Sequence, residues 1–351
     1  MKALRYHARN DLRLDDIAEP TTRPGTVKVA VDWCGICGSD LHEYLEGPIN
    51  MPSPGHPDPL TGEEPPVVLG HEFAGVVIEV GAGVTSVKEG DRVAVEPYHT
   101  CGSCVACKSN NYNWCPDLGF IGLAGGGGGF SEFVVVPAER AFKLNELGTD
   151  LGALVEPLAV GLHAVKISGA RPGQTAIVFG AGPIGLMTTV NLRAAGVDRI
   201  VVVEPAAVRN DKATAAGADI VLNPMEVDVV EAIMEMTGGI GADIAMECAG
   251  IAAAMNQATS AVRKGGRIVN VALWGKPATI DMNAILLKEL SLLGTLAYCN
   301  DHQDTIDLVR STPVDLSQFI TKRISLEDVI DGGFHELIAN KDEHIKILVH
   351  P

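Results

Sequence analysis

A turn of sequence Gly-Ala-Gly-Pro-Ile-Gly occupies residues 180–185, directly after an apolar run at 176–179 and directly before a helical stretch carrying Leu186 and Leu192. No other feature constrains the fold as tightly, because a strand that passes through such a turn into a helix opens a βαβ unit in a parallel sheet. Gly180 permits the tight turn, Gly182 lets the backbone approach a pyrophosphate, and Gly185 lets the helix lie close on the sheet. Pro183 and Ile184 begin that helix, whose N-terminal amides then face the negative charge. A second expected strand, 200–203, ends at Glu204, the separation expected of an acid that binds the adenosine ribose. A carboxylate there accepts from both ribose hydroxyls and would repel a 2'-phosphate, which favours NAD over NADP. Arg209, close behind, either partly offsets that repulsion, covers the adenine face, or is a solvated helix residue.

At 351 residues the chain exceeds the usual size of one hydrophobic core, so two domains are expected. Over 1–156 the sequence reads as short strands between Gly and Pro signals, at 27–34, 73–80, 92–96 and 133–136, the pattern of an irregular β-rich domain. Over 157–290 apolar strands at 176–179, 200–203, 244–247 and 268–271 alternate with helices, giving a doubly wound parallel sheet and an α/β class for the chain. The remainder, 291–351, is mixed, and its last strand, 345–349, has no βαβ partner following it. Five glycines at 125–129 read as a flexible surface loop, or alternatively as a close backbone approach to a neighbouring segment or ligand.

The formal net charge of -17, with no basic cluster, argues against a nucleic-acid partner. No apolar run reaches the roughly 18 residues of a membrane helix, and the N-terminus does not resemble a signal peptide, so a cytoplasmic enzyme is expected. Cys101, Cys104, Cys107 and Cys115 then fit one loop around a structural zinc, in a lobe over 98–116, with two disulfides as the alternative. Such a closed site has no open coordination position, so any reaction must occur elsewhere.

Three further residues have the types that suit an open catalytic zinc: Cys37 after a strand, His71 with Glu72 before the next, and Glu156 at the expected domain junction, where a cleft would be natural. Each has a plain alternative. Cys37 with Cys34 imitates a redox pair, His71 suits a core position, and Glu156 suits a helix N-terminus.

Taken together, Cys-Gly-Ser-Asp-Leu-His at 37–42, Gly-His-Glu at 70–72, the cysteine lobe, Glu-Pro at 156–157 and the glycine turn resemble the zinc-containing medium-chain alcohol and polyol dehydrogenases over essentially the whole chain. The resemblance implies a GroES-like catalytic domain, a Rossmann domain, and return of the last segment to the first domain. It implies two zinc ions per chain, the catalytic one held by Cys37, His71 and either Glu72 or Glu156. One carboxylate with the Cys37 thiolate neutralises the metal, and a second would oppose ionisation of the substrate, so one of the two is expected as a ligand and the other nearby. It also implies a proton relay from Ser39 to His42, whose plain alternatives are a cap and a surface residue. Segments 33–49, 120–130 and 154–160 most resemble the branch acting on 2,3-butanediol and acetoin with NAD. Sorbitol-type polyols are the alternative, with a non-catalytic cofactor-binding protein behind them. A homodimer or homotetramer is expected from the exposed strand edges of such a domain.

Overall fold

The computed structural model describes residues 1–351, and its contacts divide the chain into two units. One comprises Met1–Glu156, His302–Arg310 and Phe319–Pro351, the other Pro157–Asp301 and Ser311–Gln318.

The first unit is organised by the strand Thr26–Gly35, where β-branched residues turn Val27, Val29 and Val31 into a buried core with Phe73, Val77, Phe130 and Ile347. Its seven-stranded sheet runs in the order Ala141–Lys143, Arg92–Val95, Glu72–Val80, Thr26–Gly35, Lys346–His350, Ile320–Ser325, and Phe133–Pro137 also pairs with Thr26–Gly35. In the pairing of Thr26–Gly35 with Glu72–Val80, Gly35 lies opposite Glu72. Leu348 and Val349 pair antiparallel with Gly35 and Cys34, so the last strand runs beside the same strand end.

The second unit holds a six-stranded, wholly parallel sheet in the order Ile220–Leu222, Arg199–Val203, Thr175–Phe179, Ala242–Glu247, Val262–Asn270, Ser291–Gly294. The central strands are continuous apolar runs, with Ala176 to Phe179 and Ile200 to Val203 all buried, as a sheet covered on both faces requires. The edge strands Ile220–Leu222 and Ser291–Gly294 are only three and four residues long and are not foreseen from sequence.

One expectation is corrected here. The glycine run at 125–129 is not a flexible surface loop: Gly125, Gly128 and Gly129 are buried, and the Gly129 amide donates to the Gly70 carbonyl at 2.7 Å. No helix is long and apolar enough to cross a membrane.

Candidate active site

Sheet register brings the site together. The strand Thr26–Gly35 delivers Cys37 as the N-cap of the helix Gly38–Glu46, and Glu72 begins the neighbouring strand with His71 directly before it. With Gly35 opposite Glu72, one atom each of Cys37, His71 and Glu72 lie within 4.8 Å of one another. No side chain larger than hydrogen fits at residue 35, where a Cβ would collide with the Glu72 carboxylate and lie 3.0 Å from Lys346 Cδ.

The surroundings of this cluster are charged and dry. Asp40, fully buried, accepts the Cys37 amide proton on Oδ2 at 2.9 Å, and its Oδ1 stands 3.5 Å from His71 Nδ1. Burial opposes a charge on His71, but the Asp40 carboxylate and Cys37 outweigh it and lift the imidazole pKa well above its usual value. His71 Nε2 is 3.2 Å from Ser39 Oγ. A carboxylate beside one ring nitrogen of a histidine that clusters with a thiol and a second carboxylate is the arrangement of a zinc-ligating histidine. Neither His71 Nδ1 nor Asp40 Oδ1 has a hydrogen bond of good geometry, and a cation drawing the imidazole's electrons would strengthen the contact between them. The residues therefore fit a zinc.

Lys346 is the component that sequence reasoning missed. Buried with 2% of its side chain exposed, it donates to Glu72 Oε1 and Oε2 at 2.7 and 2.6 Å and to the Ile36 carbonyl at 3.2 Å. Burial pushes its pKa down, yet Glu72, Cys37 and Glu156 raise it above its usual value, so it stays charged. Glu156 is buried in the first turn of the helix Val155–Ser168 and acts on Lys346 through its charge, but lies outside the three-residue ligand cluster. Asp40 was missed too, although its place three residues after an N-cap is that of a capping box. His42, exposed, follows Ser39 by three residues, which puts both on one helix face. Cys34 is fully buried, which drives its thiol well above the usual range, and it is a core thiol.

The sulfur atoms of Cys101, Cys104, Cys107 and Cys115 lie within 4.8 Å of one another, and all eight cysteines are unpaired, which removes the disulfide alternative. The 3.5 Å between Cys101 and Cys115 Sγ is near the separation of about 3.8 Å between ligands on one tetrahedral zinc. Amides of Ser103 and Cys104 bring the Cys101 thiol down to about 6, while burial and Cys104 push Cys107 up to about 12. Four thiols at this spacing resist joint ionisation until a cation offsets their charge. Tyr112 anchors the lobe: its hydroxyl donates to Glu96 Oε1 at 2.7 Å, and Arg140, paired with Glu96, covers its ring at 4.4 Å. Cys104→Ser is expected to release the lobe's metal and lower the Tm by more than about 4 °C without weakening cofactor binding. Calorimetry with metal analysis checks this, and full thermal stability after loss of the metal would contradict a structural role.

In the second unit Thr175–Phe179 passes through Gly180, at φ +96°, into the helix Pro183–Ala194 capped by Gly182. A Cβ on Gly185 would fall on the Gly180 carbonyl, so only glycine lets the helix sit this close. Glu204 follows the strand Arg199–Val203 but folds back: its oxygens accept the Ala181 amide at 2.6 Å and the Ala206 amide at 2.9 Å. The spacing located this acid but not its direction. Arg209 Nη1 lies 3.9 Å from Glu204, and the same atom is 3.9 Å from a Cβ built on Gly182, so the guanidinium overhangs the turn.

Fold and sites together place the chain among the zinc-binding alcohol dehydrogenases: residues 23–146 match the family model of the alcohol dehydrogenase GroES-like domain and residues 183–311 that of zinc-binding dehydrogenase, and the chain belongs to this family of nicotinamide- and zinc-dependent oxidoreductases. Among individual relatives, it is 47% identical to the (R,R)-butanediol dehydrogenase of Bacillus subtilis, over 100% of both chains. It is 45% identical to that of Neisseria gonorrhoeae, over 100% of this chain and 99% of the relative. The crystal structure of the 2R,3R-butanediol dehydrogenase from Bacillus subtilis superposes with a TM-score of 0.93 at 46% identity, covering 100% of this chain and 99% of that one.

Proposed function

We propose that the chain interconverts 2,3-butanediol and acetoin with NAD, using a catalytic zinc on Cys37, His71 and Glu72 and a structural zinc on the four-cysteine lobe. The observation that carries the chemistry is the convergence of thiol, imidazole and carboxylate beside Ser39. Likeness to two butanediol dehydrogenases over the full chain supports the substrate, and supports it above a sorbitol-type polyol. When bound, the zinc supplies Lewis acidity to the substrate oxygen and the nicotinamide ring supplies the hydride acceptor.

The protein's own residues do the rest. Asp40 holds His71 in one orientation, and Lys346 holds Glu72, so the ligands are aligned before substrate arrives. Ser39 Oγ takes the hydroxyl proton during diol oxidation and hands it on to His42, whose exposed ring opens to water. The substrate C–H bond breaks with its electron pair leaving as hydride, and the carbonyl forms. Glu156 stays off the metal as a nearby buried anion suited to orient a second hydroxyl. Gly180, Gly182 and Gly185, with the backbone amides of Ile184 and Gly185 in the helix that Pro183 opens, receive the pyrophosphate; Glu204 receives the adenosine ribose and favours NAD; Arg209 lies across the adenine side.

Initial rates of NAD reduction with (R,R)-2,3-butanediol beside sorbitol, at equal concentration and pH, test the substrate. At least about a tenfold preference in kcat/KM for the diol, some 1.4 kcal/mol, is expected; a preference for sorbitol would sink the diol reading and leave the zinc and nicotinamide chemistry standing.

Eight reduced cysteines suit the cytoplasm. The edge strand Ser291–Gly294 and the helix Met282–Lys288, exposing Met282, Leu286 and Leu287, support association with a second copy as a homodimer or homotetramer. Light scattering on the intact protein tells these states from a monomer.

A further inference from the structure

We propose that a buried slot made of Gly122, Gly128 and Gly129 positions His71 and thereby sets the geometry of the Cys37, His71 and Glu72 metal site; zinc binding by those three residues, as proposed above, is the premise. His71 precedes the first residue of its strand, so its ring is aimed by the backbone of residues 69–71. That backbone is held from both sides. The Gly129 amide donates to the Gly70 carbonyl at 2.7 Å and the Phe130 amide to the Leu69 carbonyl at 3.0 Å, while the Leu69 amide donates to Leu4 at 3.1 Å.

The two backbones pass too closely for any side chain between them. A Cβ on Gly128 would fall on the Leu69 carbonyl oxygen and lie 2.9 Å from Gly122 Cα. One on Gly122 would fall on the Gly70 carbonyl oxygen, 3.0 Å from the His71 nitrogen. At Gly129 it would stand 2.6 Å from Cys34 Sγ, three residues before the other ligand, Cys37. The slot therefore touches the approaches to both His71 and Cys37. Gly128 and Gly129 do not have positive φ, so what they supply is space. Gly127 is the contrasting neighbour: its φ of +91° demands glycine for conformation, but a Cβ there would meet only the Val134 side chain, at 3.0 Å. Ser131 Oγ fastens the run by donating to the Gly128 carbonyl at 2.8 Å.

The test compares Gly128→Ala with Gly127→Ala in the full-length enzyme, with cobalt(II) replacing zinc as a spectroscopic probe. Gly128→Ala is expected to shift the cobalt bands of the Cys37 site, to speed loss of that metal to a chelator by at least about tenfold, and to lower kcat by a similar factor. The KM for NAD should stay within about twofold, because the nucleotide-binding turn lies in the other unit. Gly127→Ala should lose thermal stability but keep the wild-type spectrum and kcat. Ser131→Ala, which frees the run without adding volume, should give the Gly128→Ala changes in weaker form, and decides the matter if Gly128→Ala does not fold. Wild-type spectra and metal-release rates in both Gly128→Ala and Ser131→Ala, or changes no different from those of Gly127→Ala, overturn the slot's role. A wild-type protein that takes up cobalt only in the cysteine lobe overturns the premise instead.

Discussion

Replacing His71 by alanine is expected to abolish diol oxidation while leaving NAD binding almost unchanged. Altering a group that merely supports a metal ligand costs about 10–100-fold, so removing the imidazole itself should cost more than about 100-fold in kcat. The lost ring also leaves Asp40, wholly buried, without the partner that faces its Oδ1, so some stability goes with it. The glycine turn and Glu204 belong to the other unit and should bind NAD within about twofold of wild type. Metal content, steady-state turnover and NADH fluorescence titration together check this: metal should fall toward one zinc per chain, the one held by the lobe. Turnover retained in the variant would end the assignment of His71 to the catalytic metal.

The second large effect is expected at Lys346, where substitution by methionine removes the only basic side chain hydrogen-bonded to Glu72. Breaking a buried ion pair from one side costs about 3–5 kcal/mol, because the remaining charge stays in a medium that solvates it poorly. The double variant Lys346→Met with Glu72→Gln should recover part of that loss in stability, since it removes the stranded carboxylate, although it also removes a proposed metal ligand. Urea unfolding of the metal-free proteins at neutral pH measures both. The pH matters. Lys346 has a folded pKa raised above its ordinary 10.5, so its contribution is complete below 10.5 and fades only as pH rises through the folded value. A single variant within about 0.5 kcal/mol of wild type would show that the pair contributes little.

These two residues differ in how visible they are in the sequence. His71 stands in a short Gly-His-Glu motif, and its residue type is enough to nominate it; so are the four cysteines, which lie within one loop, and the glycine turn, framed by a strand and a helix that each have their own periodicity. The doubly wound sheet and its β-rich companion were legible for the same reason, since apolar runs such as 176–179 and 200–203 announce buried parallel strands. Lys346 has no such frame. It opens an ordinary strand, and only the register that sets Leu348 opposite Gly35 carries it to Glu72. The glycine run was half legible: close backbone approach was one of its two readings and is the one the structure bears out, but contact between two backbones leaves no apolar pattern to name the segment approached. Glu204 was located by spacing, but its bend toward the Ala181 amide depends on side-chain χ angles that spacing does not encode.

The 274 residues that separate Glu72 from Lys346 also bear on how the protein is made. A ribosome must complete the whole second unit before the carboxylate can meet its counter-ion, and at about 5–20 residues per second that interval is on the order of tens of seconds. Throughout it, the emerging N-terminal sheet carries an acid whose burial without its amine would cost about 3–5 kcal/mol, which favours leaving this carboxylate in water while the nucleotide-binding unit is already free to fold.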